Sequence, residues 1–172
     1  MKVIAFDVKV VLDVVKVTID VVKVTLDDTI IELSEDHMLS NKTEKDRIVN
    51  SGGFVFRVPH QDPDAILRVN GSLAMSRAIG DHNFRKYGVI PDPDVMKIER
   101  RPEDDFIIVA TDGLWSKVST EFAVRIVRRC IMRSISRELA IGTVAPKVLN
   151  QLAKKLGSRD NITIIVVDLK RH

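Results

Sequence analysis

The chain has 172 residues, 45% hydrophobic and 30% charged, a balance that excludes a disordered or fibrous polypeptide and suffices to bury one respectable core. Its net charge of +3 is too small to argue for a nucleic-acid partner, and Cys130, the only cysteine, excludes an intrachain disulfide. Charges interrupt the apolar N-terminal run too often for a membrane helix of about 20 residues, and Asp7 cuts short any secretory core, so no membrane partner and a cytoplasmic or nuclear location are expected.

The first element is a repeat. Lys2, Lys9, Lys16 and Lys23 recur every seven residues, and Asp13, Asp20 and Asp27 keep the same interval. A heptad invites a coiled coil, but Val and Thr dominate, their Cβ branching favours strands, and no clean two-in-seven apolar seam exists. Residues 1–32 are therefore expected to form a strand-rich segment of one or two strands, with a hairpin around Asp13, distinct from a domain over residues 33–172. A Val-rich segment with few charges is also a candidate for strand-mediated self-association.

Further along, Thr43 with Asp46 resembles a capping box for a short helix that stops at Gly52. Residues 53–65 read as a loop carrying Pro59, His60, Asp62 and Pro63. Residues 95–99 and 105–110 read as a hairpin around Pro102. Phe122, Ala123, Ile126, Val127, Cys130 and Ile131 repeat at helical spacing over Ser119 to Ser134, with Cys130 a buried, inert thiol. Arg125, Arg128, Arg129, Arg133 and Arg137 line the polar side and are expected to be a solvated face. A last helix, Pro146 to Leu156, stops at Gly157. Strands and helices in blocks, without a βαβ alternation, predict an α+β fold.

Two aspartates sit at strand ends. Phe106-Ile107-Ile108-Val109-Ala110-Thr111 stops at Asp112-Gly113, and Asp160-Asn161 immediately precedes Ile162-Thr163-Ile164-Ile165-Val166-Val167. Carboxylates held at the tips of buried strands can share one Mg²⁺ or Mn²⁺, which prefer oxygen ligands. Both dipeptides are also ordinary turn formers, so spacing leaves the two readings open.

Six segments in order change the balance. Leu33-Ser-Glu-Asp-His37, Glu44 to Gly53, Arg68-Val-Asn-Gly-Ser-Leu-Ala-Met-Ser-Arg-Ala-Ile-Gly-Asp81, Val89 to Val95, Asp105 to Trp115 and Gly157-Ser-Arg-Asp-Asn-Ile-Thr163 together resemble the metal-dependent protein phosphatases, the type 2C serine/threonine family. The resemblance implies part of an αββα sandwich and a pair of Mg²⁺ or Mn²⁺ ions whose bridging water attacks phosphoserine or phosphothreonine. It makes Asp112 and Asp160 metal ligands, with Asn161 and Gly113 supporting them. Asn161 would orient a ligand or cap the strand entry. His37, His82 and Trp115 become structural or surface residues rather than ligands or a substrate platform. Phosphorylated proteins, or protein partners, are the implied partners.

The chain departs from that family. Ser116 stands where an aspartate is usual, and the loop from Phe54 to His60 lacks a tryptophan used by one receptor-binding subgroup. No stretch reads Asp-Gly-His-Gly-Gly or Gly-Asp-Ser-Arg, and Val3-Ile-Ala-Phe-Asp7 only faintly echoes the first. These gaps raise an alternative, a catalytically incomplete binding or regulatory protein. Turnover by this chain alone is expected to lie near background.

Overall fold

The computed structural model describes residues 19–25, 27, 29–34, 36–57, 66–94 and 100–170. In chain order the elements are β1 (Ile19–Thr25), β2 (Ile30–Glu32), α1 (Lys42–Asn50), β3 (Val55–Arg57), β4 (Leu67–Val69), α2 (His82–Arg85) and β5 (Asp104–Thr111). There follow α3 (Asp112–Trp115), α4 (Thr120–Arg133), α5 (Arg137–Leu139), a π-helical turn (Ala140–Val144), α6 (Ala145–Lys155) and β6 (Ile164–Asp168). They fall into two compact units, a larger one from residues 19–34 and 100–170 and a smaller one from residues 36–94. Among the described residues no helix is long and apolar enough to cross a membrane.

The larger unit is a four-stranded antiparallel sheet in the order β2-β1-β5-β6, with helices on its apolar face. Along β5, Phe106, Ile108 and Ala110 are buried while Ile107 and Val109 are half-buried, so one face meets the core and the other is only partly covered. That core joins Val24 and Val166 to Val127 and Cys130 of α4 and to Leu149 and Ala153 of α6. Burial pushes the Cys130 thiol above its ordinary pKa, as an inert core thiol requires.

The Val-rich repeat does form a strand where it is described. In β1, Ile19 pairs with Thr111 and Val24 with Phe106, and β1 lies between β2 and β5 with both edges paired. The turn that follows it is held by Asp27, whose Oδ1 accepts the Thr29 amide at 3.2 Å. The expected hairpin around Asp13, and Asp7 itself, lie outside the described residues, as do residues 58–65 and the proposed partner strand 95–99.

Helix α4 starts and stops as its sequence predicts, with the Ser119 hydroxyl accepting the Phe122 amide and Ser134 ending it. Helix α6 ends in a Schellman turn. Gly157 adopts φ +87°, its amide reaches Lys154 O, and the Ser158 amide reaches Ala153 O. At its other end the helical path begins earlier than Pro146 suggests. The wider π turn carries α5 into α6, and Pro146, which has no N–H to give, sits in the first turn of α6.

The arginine row is not uniformly solvated. Arg125, Arg129 and Arg133 are exposed, but Arg128 and Arg137 turn inward to Asp105, which is fully buried. Arg137 bonds Asp105 Oδ1 at 2.8 Å and both oxygens of Asp168 at 2.9 Å, while Arg128 pairs with Asp105 Oδ2 and lies 5.2 Å from the Phe106 ring centre. The solvated-face expectation fails at these two positions because a carboxylate sealed at the start of β5 must be paired.

In the smaller unit α1 is capped by Asn41, not by Thr43. Asn41 Oδ1 accepts the Thr43 amide at 3.0 Å and its hydroxyl at 2.6 Å, which places Thr43 inside the first turn. Ile48 then meets Leu39, Val69, Leu73 and Val89 in a small core. The expected loop from Gly53 has a strand stem, because Val55–Arg57 ladders with Leu67–Val69.

Candidate metal site

β5 and β6 are antiparallel neighbours, with Ala110 opposite Ile164, so the residue after β5 and the residues before β6 share one end of the sheet. Asp112 and Gly113 open α3 directly from β5, and Asp160 and Asn161 lead into β6. The strands that carry the two aspartates are thus neighbours in the sheet. Thr111 stitches the two segments together. Its amide donates to Thr163 O at 3.1 Å, its hydroxyl donates to Asn161 O at 3.0 Å, and Thr111 Oγ1 in turn accepts the Thr163 amide at 3.1 Å. The Ser158 hydroxyl donates to Gly113 O at 2.7 Å, a third tie between the loops.

Gly113 is where the backbones nearly touch. A Cβ there would overlap the Asn161 carbonyl oxygen and lie 3.0 Å from its carbon and 3.1 Å from Ile162 Cγ1. Gly113→Ala is therefore expected to push the 157–161 loop away and to destabilise the larger unit by about 1–3 kcal/mol, the usual cost of overpacking. Urea unfolding followed by the single tryptophan, Trp115, measures it. An unchanged midpoint would mean that the loop yields freely.

Of the residues singled out, Asp112 is half-buried, Gly113 buried, and Asp160 and Asn161 exposed. Asp160 Oδ1 accepts the Asn161 amide at 2.7 Å, so Asn161 orients the carboxylate through its backbone. Trp115 donates its indole N–H to Ala110 O at 3.0 Å and packs on the core. Two carboxylates at one sheet end, one of them open to water, offer the oxygen donors that hard divalent cations prefer. Among the described residues no group of three or more His, Cys, Asp or Glu side chains forms a metal-binding cluster.

The smaller unit holds a second charged cluster. Glu44, buried on α1, receives Arg47 at 2.6 and 2.8 Å, Arg77 at 2.8 Å and the Ser76 hydroxyl. Arg47 also donates to Gly88 O and Ser76 O, and Arg77 continues to Asp94 at 2.6 Å, which meets His37 at 2.8 Å. Burial works to raise the Glu44 pKa, but the hydrogen bonds from Arg47, Arg77 and Ser76 outweigh it and hold the carboxyl well below the ordinary carboxylate range. His37 is thus structural, and His82 lies exposed at the start of α2. The cluster joins Leu33–His37, Glu44–Gly53, Arg68–Asp81 and Val89–Val95, four of the six ordered segments.

A family profile described as Protein phosphatase 2C matches residues 22–162, most of the chain. The chain belongs to the protein phosphatase 2C family. Protein phosphatase 2C 50 of Oryza sativa subsp. japonica is 41% identical over 154 residues, covering 81% of this chain and 38% of its own length. Protein phosphatase 1B of Bos taurus is 37% identical over 142 residues, covering 78% of this chain and 26% of its own. A solved phosphatase from a pathogenic strain of Toxoplasma gondii superposes with a TM-score of 0.73 at 25% identity, over 87% of this chain and 45% of that one. The chain therefore spans about two fifths or less of the curated relatives it matches. Its mixed helices and small antiparallel sheets are the α+β fold of this family. The 2C match takes in Asp112, Asp160, the Glu44 cluster and the last heptad of the repeat.

Thr111 and the Glu44 cluster escaped the sequence reading. Glu44-x-x-Arg47 is a visible i,i+3 pair, but its burial and its reach to Arg77 are not encoded locally. Thr111, at the end of an apolar strand, gives no sign that its hydroxyl makes two bonds.

Proposed function

We propose that the chain is part of the catalytic domain of a metal-dependent protein serine/threonine phosphatase, in which Asp112 and Asp160 ligate one Mg²⁺ or Mn²⁺ ion. The observation that carries this reading is the pairing of β5 with β6, which brings both aspartates to one sheet end and ties their loops through Thr111 and Gly113. Family membership and the names of the relatives support the activity, with phosphorylated proteins as substrates. A bound cation would supply water of lowered pKa and neutralise charge at the phosphoryl group. The chain's own residues fix the carboxylates: Asn161 orients Asp160, and Gly113 lets the two loops close on each other.

With two carboxylates from the described residues, Mn²⁺ should bind at the weak end of hard-cation sites, with Kd about 10⁻⁴–10⁻³ M. Isothermal titration of the full chain is expected to show this affinity falling by at least about tenfold in Asp112→Asn and again in Asp160→Asn. Metal-dependent phosphate release from a phosphothreonine peptide should lie near background in this chain, so Mn²⁺ binding is the readout that tests the site. Undiminished Mn²⁺ binding in the doubly substituted chain would overturn the reading.

A further inference from the structure

Beside Asp160 the surface of the larger unit dips into an open depression of about 440 Å³, lined by Ser116, Lys117, Gly157, Ser158, Arg159 and Asp160. Its two walls are the turn after α3 and the loop that leaves α6 at Gly157, tied together by the Ser158–Gly113 hydrogen bond. Lys117 and Arg159 are exposed, and neither forms an ion pair among the described residues. Arg47, Arg77, Arg128 and Arg137, by contrast, are all committed to carboxylates. Asp160 is the one anion on the lining, and Ser116 contributes no charge. If Asp160 holds a cation, nothing on the lining offsets the two basic side chains. An anionic group seated there would also lie next to whatever that cation holds.

We infer that Lys117 and Arg159 form a specificity subsite that favours phosphorylated segments carrying acidic side chains beside the phosphorylated residue. The inference rests on the phosphatase reading for its placement of the phosphate, but its own chemistry is carboxylate recognition by two exposed cations. Each exposed pair contributes little, so the expected preference is modest, about three- to tenfold, and screened by salt.

The test uses the full chain with Mn²⁺ and three fluorescein-labelled phosphothreonine peptides, flanked by Glu, Ala or Lys, followed by anisotropy at low and high salt. Glu-flanked peptide should bind tightest and Lys-flanked weakest, the order should compress in high salt, and K117E/R159E should invert it. Because both side chains are exposed, that variant should keep the wild-type urea midpoint. Equal binding of the three peptides, or a Glu preference that survives K117E/R159E, overturns the subsite while leaving Mn²⁺ binding by Asp112 and Asp160 to stand or fall by itself. A preference lost in K117E/R159E when Asp112→Asn leaves Mn²⁺ binding intact keeps the subsite and removes the phosphatase reading. Tighter binding of a single-stranded oligonucleotide than of the Glu-flanked peptide, through the same two residues, also overturns it.

Discussion

Replacing Arg128 and Arg137 together by methionine is expected to cost the larger unit about 3–5 kcal/mol, the penalty for stranding a buried charge. The asymmetry of burial sets this size. Asp105 is fully buried, whereas the Arg128 and Arg137 side chains are 19% and 29% exposed. Removing the arginines leaves a carboxylate with no route to water. Removing the carboxylate, as in Asp105→Asn, leaves two guanidiniums that can turn outward, one of them still bonded to Asp168. That single change should cost only about 1–3 kcal/mol, near the price of one unsatisfied buried group. Arg137→Met alone should fall between the two, since Arg128 keeps one oxygen of Asp105 paired. Urea unfolding followed by Trp115, which packs on the same core, orders the three variants. If Asp105→Asn proved the most damaging, the carboxylate would be acting as the anchor of the start of β5 rather than as the charge that the arginines rescue.

The same cluster marks where the sequence stops being legible. Helix α4 could be read because its apolar positions recur locally, and its ends carry their own serines. β5 could be read because a run of six apolar and β-branched residues ends at Asp-Gly. The candidate site was drawn from those strand ends and from the ordered motifs. Which arginines face water could not be read, because the answer lies in Asp105, 23 residues before Arg128 and 32 before Arg137. Gly113 illustrates the same limit. Asp-Gly reads equally as a turn, and only the antiparallel return of β6 shows that the missing side chain makes room for Asn161. At Asn41 the failure was different: the cap expected at Thr43 lies two residues earlier, where the Asn41 side chain accepts the Thr43 amide. Periodicity encodes what is near in sequence. Pairing of charges and close backbone approach depend on topology.

Glu44→Gln is expected to destabilise the smaller unit by about 3 kcal/mol at neutral pH, the low end of the cost of breaking a buried ion pair. Glutamine preserves the shape of the side chain but turns an amide toward two guanidiniums and leaves one oxygen for the work of two. The loss stays at the low end because Arg47 retains Gly88 O and Ser76 O, and Arg77 retains Asp94. The pH dependence separates charge from packing. The folded-state pKa of Glu44 is depressed from an ordinary value of 4.5, so its contribution is fully present above about pH 4.5 and is lost only as pH falls through the lower folded-state value. The glutamine does not titrate. The gap between wild type and variant should therefore be constant from pH 7 to about pH 4.5 and should shrink in stronger acid. Hydrogen exchange of the α1 amides, measured at pH 7, 4.5 and 3, reads this unit separately from Trp115. A gap that persists unchanged into strong acid would show that Glu44 acts by filling space, with its ion pairs contributing nothing.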